Sequence, residues 1–106
     1  MMKKMVALMM LWSVSAIAQP NYDTAIDKVW QSVQKHQLTT LSKECVLFFP
    51  YDKQNKIVIE IREKHNQQCG GDVNTAPLLF SYEIDKKTGK MRTDEPIWTG
   101  EYRDID

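Results

Sequence analysis

The sequence predicts an α+β fold in which one N-terminal helix packs on a four-stranded antiparallel sheet made of two hairpins. Three observations predict it. A single amphipathic stretch occupies 21–37, and two pairs of apolar runs follow, each pair split by a short polar turn. No internal domain boundary, low-complexity tract or repeat divides the chain.

In the first stretch Ile26, Val29, Trp30, Val33 and Gln37 recur at the i, i+3, i+4 spacing of one helix face. Asp27, Lys28, Gln31, Gln34 and Lys35 fall elsewhere on the wheel. Asn21 or Asp23 can cap the start, where acids favour the positive end of the helix dipole. Lys35 and His36 sit at the other end, and the β-branched Thr39-Thr40 breaks the pattern.

The runs 45–51 and 57–63 read as strands joined by the polar turn Asp52-Lys53-Gln54-Asn55-Lys56. Pairing Tyr51 with Ile57 sets Phe49 opposite Ile59, Leu47 opposite Ile61 and Cys45 opposite Glu63. One face then holds Leu47, Phe49, Tyr51, Ile57, Ile59 and Ile61, and it is expected to lie under the helix. Val46, Phe48, Val58, Glu60 and Arg62 take the face away from it. After a polar loop at 64–77, the runs 80–84 and 90–93 form a second hairpin. Its connector, Lys86-Lys87-Thr88-Gly89, suits a type I turn followed by a left-handed glycine. The tail from Glu95 holds Pro96, Trp98, Gly100 and Tyr102, and either adds an edge strand or folds over the core.

The start of the chain has the order of a secretory signal: Lys3 and Lys4, an apolar run from Met5 to Trp12, then Ala16-Ile17-Ala18. The run falls well short of the ~20 residues that span a bilayer. The expectation is a signal peptide over 1–18 and one small α+β domain over 19–106, periplasmic or secreted. The residue directly after the expected cleavage point is Gln19 and not cysteine, so no lipid attachment is expected, and no later segment is apolar enough for a transmembrane span. Losing Lys3 and Lys4 from the 14 basic residues leaves two fewer cations than the 14 acids. That balance carries no basic footprint for nucleic acid. In an oxidising compartment Cys45 and Cys69 are expected to pair. Closing a loop of about 23 residues stabilises a domain by about 3–4 kcal/mol in the chain-entropy model.

The most distinctive local cluster is His65-x-x-x-Cys69-Gly70-Gly71-Asp72. As a metal site it offers three ligands without a CxxC or HExxH partner, and with Cys45 available for a disulfide the metal reading is the weaker one. As a nucleophile Cys69 would have to be reduced and paired with a base. The favoured reading makes Cys69 a loop anchor, with glycines for sharp turns and Asp72 or Asn74 bonding local backbone. Gly70-Gly71 lacks the length and the Lys-Ser/Thr ending of a phosphate loop. No catalytic set, metal or cofactor is expected. Aromatic residues give the better hint, because exposed Trp and Tyr anchor protein recognition. A long polar loop held by a disulfide also loses little entropy on binding. The candidate binding surface is therefore His65, Gln67, Gln68, Asp72 and Asn74, with Trp98 and Tyr102 beside them.

The segment Phe80-Ser81-Tyr82-Glu83-Ile84-Asp85-Lys86-Lys87-Thr88-Gly89-Lys90 resembles the strand–turn–strand portion of PepSY-type domains, which are small exported α+β modules. The stretch from Cys69-Gly70-Gly71-Asp72 to Asn74-Thr75-Ala76-Pro77 is similar to small secreted bacterial proteins from which no activity carries over. The PepSY resemblance implies binding or inhibition of an enzyme outside the cytoplasm and supplies no catalytic residues. The expected function is an exported module that works through contacts with another protein, as an inhibitor. The alternatives are an immunity protein against a periplasm-delivered toxin, or a small metal protein or enzyme using His65, Cys69 and Asp72.

Overall fold

The computed structural model describes residues 22–106. The expected signal peptide, its cleavage after Ala18 and the capping residue Asn21 lie outside them. The elements are α1 (Tyr22–Lys35), a 3-10 turn (Lys43–Cys45), β1 (Val46–Lys53), β2 (Lys56–Glu63), β3 (Leu78–Asp85), β4 (Met91–Thr93), a second 3-10 turn (Ile97–Thr99) and β5 (Arg103–Ile105). The sheet is an antiparallel meander of five strands in chain order. No helix among the described residues is long and apolar enough to cross a membrane.

Helix α1 buries Ala25, Val29, Trp30, Ser32 and Val33; of the expected stripe, Ile26 is half-buried against the core and Gln37 is exposed beyond the helix end. It ends at Lys35, two residues before the expected limit, because Gln37 turns left-handed (φ 54°). The Leu38 amide then donates to Val33 O and the Gln37 amide to Gln34 O, at 3.0 and 3.1 Å. This is a Schellman closure built on glutamine instead of glycine, with Leu38 packed against the core. The helix traverses the sheet from edge to edge. Tyr22 Oη donates to Asp52 in β1 (3.0 Å), and Lys28 Nζ reaches Gly89 O in the β3–β4 turn (2.7 Å). Beyond β5, Lys35 and His36 meet Asp106 Oδ1 at 3.1 and 2.8 Å. In the middle, the Ser32 and Tyr82 hydroxyls share a buried hydrogen bond of 2.8 Å.

On the helix side, Ile59, Ile61 and Tyr82 are fully buried. Burying each such isoleucine stabilises the fold by roughly 1.5–3 kcal/mol. The β3–β4 turn has the expected form, with Gly89 at φ 77°. Asp85 Oδ1 accepts the Thr88 and Lys87 amides at 3.0 and 2.8 Å, and these bonds, Thr88's first, hold its carboxyl below the ordinary range.

Two expectations are corrected. The sheet has five strands instead of four: of the two courses open to the tail it takes the edge strand, because Ile105 finds a buried place opposite Met91 and the Arg103 guanidinium ties the strand start to Glu95. The β1–β2 register is displaced by one residue. Lys53 pairs with Lys56 across a two-residue turn in which Gln54 is left-handed, so Val46 faces Glu63, Phe48 faces Ile61 and Tyr51 faces Val58. The β2 core face is as expected, but β1 is inverted. Phe48 lies on the helix side, edge-on to Trp30 at 5.9 Å, while Phe49 and Tyr51 are exposed on the open face. β1 is apolar on both faces, so its own pattern does not choose between them, and a one-residue slip exchanges them all.

This register makes a direct prediction. Phe48→Ala should cost about 2–4 kcal/mol in urea unfolding, and Phe49→Ala less than about 1 kcal/mol. Equal losses would contradict the pairing described.

Candidate functional site at the loop end of the sheet

In a meander, alternate connections leave the sheet at the same end. The 64–77 loop joins β2 to β3 and the 94–102 loop joins β4 to β5, so both leave the sheet at the end where β1 starts, the second of them on the far side of β3. The turns at Gln54–Asn55 and at 86–89 occupy the opposite end.

The first loop is fixed to the 3-10 turn that leads into β1 by the Cys45–Cys69 disulfide, with Cα atoms 5.6 Å apart. Around it the backbone is satisfied locally. The Lys64 amide donates to Cys45 O (2.9 Å), the Gly70 amide to Asn66 O (2.8 Å) and the Cys69 amide to Asn66 Oδ1 (2.6 Å). Asp72 makes the next turn, with its Oδ1 accepting the Asn74 amide at 3.0 Å and its carbonyl accepting the Thr75 amide at 3.0 Å. Arg62 Nη1 donates to Ala76 O (2.9 Å) and closes the loop back onto β2.

His65 is the hub of this loop. Its side chain is only 12 % exposed. Nε2 lies 2.7 Å from Glu63 Oε1, and Nδ1 lies 2.9 Å from Asp72 O and 3.0 Å from Thr75 Oγ1. Gly71 backs onto the ring, where an added Cβ would come within 2.6 Å of ring atoms. The Glu63 carboxylate, then the bond to the Asp72 backbone, raise the His65 pKa above its ordinary 6.5.

The second loop is framed as tightly. The Thr99 and Gly100 amides donate to Pro96 O and Ile97 O, Gly100 is left-handed, and Asp94 Oδ1 accepts the Ser81 amide at 2.7 Å. Trp98 projects from this frame 84 % exposed, with Ile97 at 43 % beside it.

The expected surface residues therefore divide. Gln67, Gln68, Asp72, Asn74 and Trp98 are exposed at this end. His65 is turned inward as a scaffold group, and Asp72 is exposed while its carboxylate serves the turn. Tyr102 lies on the open sheet face instead. Its ring sits 6.0 Å from the Arg92 guanidinium, and burial, then the charges of Asp94 and Glu83, push its pKa up to about 12. His65, Cys69 and Asp72 do not converge as ligands. Cys69 is bonded to Cys45, the His65 nitrogens face Glu63 and loop oxygens, and the Asp72 carboxylate faces an amide. Sequence reasoning missed Val73, 67 % exposed, and Ile97. The legible signal was an apolar side chain set among polar loop residues.

No protein-family model, curated protein or solved structure matches the chain.

The Cys45→Ser/Cys69→Ser double variant should lose about 3 kcal/mol of unfolding free energy. Denaturant titration of the oxidised parent and the variant measures it, and an unchanged midpoint would show that the bridge does not constrain the fold.

Proposed function

We propose that this chain is an exported binding module that acts through protein contacts, as an inhibitor of an enzyme outside the cytoplasm. The observation that carries this reading is Trp98, held almost fully exposed on a turn closed by backbone hydrogen bonds, beside Ile97. Trp98 shares its end of the sheet with a disulfide-pinned loop that presents Val73, Gln67 and Gln68. An indole held in the open provides a large apolar surface with one donor, and little conformational entropy is lost when a partner's pocket receives it. Residues of this kind dominate binding energy at protein interfaces.

Export is supported by two separate features. The Lys-apolar-Ala order of 1–18 suits a secretory signal. The Cys45–Cys69 bridge belongs to an oxidising compartment. The resemblance of the 80–90 hairpin to PepSY-type domains adds the inhibitory role.

The test compares parent and Trp98→Ala as bait in a periplasmic extract, followed by affinity measurement on the captured protein. Trp98→Ala should weaken binding by roughly 30-fold or more, as expected for a central hot spot. Its melting temperature should match the parent's, since the side chain supports nothing. Unchanged affinity in both Trp98→Ala and Ile97→Ser would remove this end of the sheet as the contact surface.

A further inference from the structure

The His65 environment asks for a particular protonation state. Nε2 faces a carboxylate oxygen of Glu63 at 2.7 Å. Nδ1 faces the Asp72 carbonyl at 2.9 Å, an atom that only accepts. The other neighbour of Nδ1, Thr75 Oγ1, gives its proton to the same carbonyl at 3.0 Å and so turns a lone pair toward the ring. Both ring nitrogens are thus met by acceptors. Neutral imidazole donates from one nitrogen only, whereas imidazolium donates from both. Loss of the proton sets a ring lone pair against an oxygen lone pair, at one side or the other. The ring has no room to swing aside where the Gly71 backbone lies against it. The charged groups acting on the ring are Glu63 from the end of β2 and Asp72 from the loop itself, and both are acids.

We infer that the 64–77 loop is a pH-gated element, locked while His65 carries both protons and loosened when it loses one, so that binding through this end of the sheet strengthens under mildly acidic conditions. This rests on the recognition role proposed above and adds its regulation. The sign follows from linkage. A folded-state pKa above the unfolded value gives a contribution fully present below the ordinary 6.5 and lost as pH rises through the folded value. The loss amounts to about tenfold in the loop's closing equilibrium for each unit separating the two values. The elements that loosen are those His65 holds together: the Asp72–Thr75 turn and its contact with the end of β2. The disulfide keeps Cys69 tethered to β1 at every pH, so the loop gains local freedom without leaving the sheet.

The test needs no partner for its first arm. The His65 ring resonances of the intact protein are followed by NMR from pH 5 to pH 9, together with protection factors for the Gly70, Asn74 and Thr75 amides. His65 should titrate above 6.5, and the protection of Asn74 and Thr75 should fall over the same interval. His65→Gln should abolish that dependence, while His36→Gln, which alters the other histidine at Asp106, should leave it in place. Titration of His65 at or below 6.5, or amide protection that stays flat while the ring titrates, overturns the gate even if the glutamine variant fails to fold. The second arm measures affinity for the captured partner at pH 6 and pH 8.5, with Trp98→Ala alongside. Weaker binding at the higher pH in the parent, absent in His65→Gln, supports the gate. Binding that is flat with pH but still lost in Trp98→Ala overturns the gate and spares the recognition surface.

Discussion

A two-residue turn at Gln54–Asn55 holds Lys53 opposite Lys56, and the rest of the molecule inherits that register. It sends Val46 and Phe48 to the helix side, where Phe48 meets Trp30 and ties β1 to α1. It also leaves Cys45 just beyond the last β1–β2 pair, level with Lys64, whose amide bonds its carbonyl. From there Cys45 reaches the following loop and the disulfide forms. With β1 advanced by one residue, the same cysteine would project to the other face, and the bridge, the His65 cradle and the Trp30 contact would lose their shared geometry.

One helix covers one face of a five-stranded sheet, so the opposite face must be made compatible with water by its own side chains. Val58 is buried there, in line with Tyr51 and Glu83 across the strands. Lys56 pairs with Glu83 at 3.2 Å, Glu60 with Arg62 at 3.1 Å and Arg92 with Asp104 at 3.6 Å. Tyr102 lies beside Arg92 on this face. Exposed pairs such as Arg92–Asp104 contribute little individually. Their role is to give β2 to β5 both signs of charge on the open face, while Phe49 and Tyr51 keep the β1 edge of that face apolar. The largest exposures of apolar side chains are at the loop end, at Val73 and Trp98.

Much of this architecture was legible because it rests on local periodicity. Val29, Trp30 and Val33 mark a helix face, and Ile57, Ile59 and Ile61 mark a strand face, whatever they pack against. Asp85 and Gly89 specify their turn from within four residues. What was not legible depended on choices between equals or on distant partners. β1 offers two apolar faces, and the turn length decides between them. Gln37 ends the helix in a conformation usually taken by glycine, so composition gave no warning. β5 exists because Ile105 fills a space beside Met91 that only the folded sheet creates. In the loop, the cysteine pairing was legible from the count of two, whereas the inward turn of His65 depends on Glu63, Gly71 and Thr75 arriving together.

Every strand in the meander pairs with its neighbour in sequence, and this shapes how the chain acquires its structure. Pairings between adjacent strands close short loops, which cost little entropy, and chains dominated by such contacts fold quickly. The cysteines flank one supersecondary unit, Cys45 in the 3-10 turn that leads into β1 and Cys69 in the connection that follows β2, so that hairpin alone can bring the thiols into reach of each other. Oxidation therefore does not have to wait for the helix to dock or for the last strand to arrive. The links of greatest sequence separation, from Lys35 and His36 to Asp106, tie the end of the helix to the last residue of the edge strand and add to an order that the sheet pairings already set.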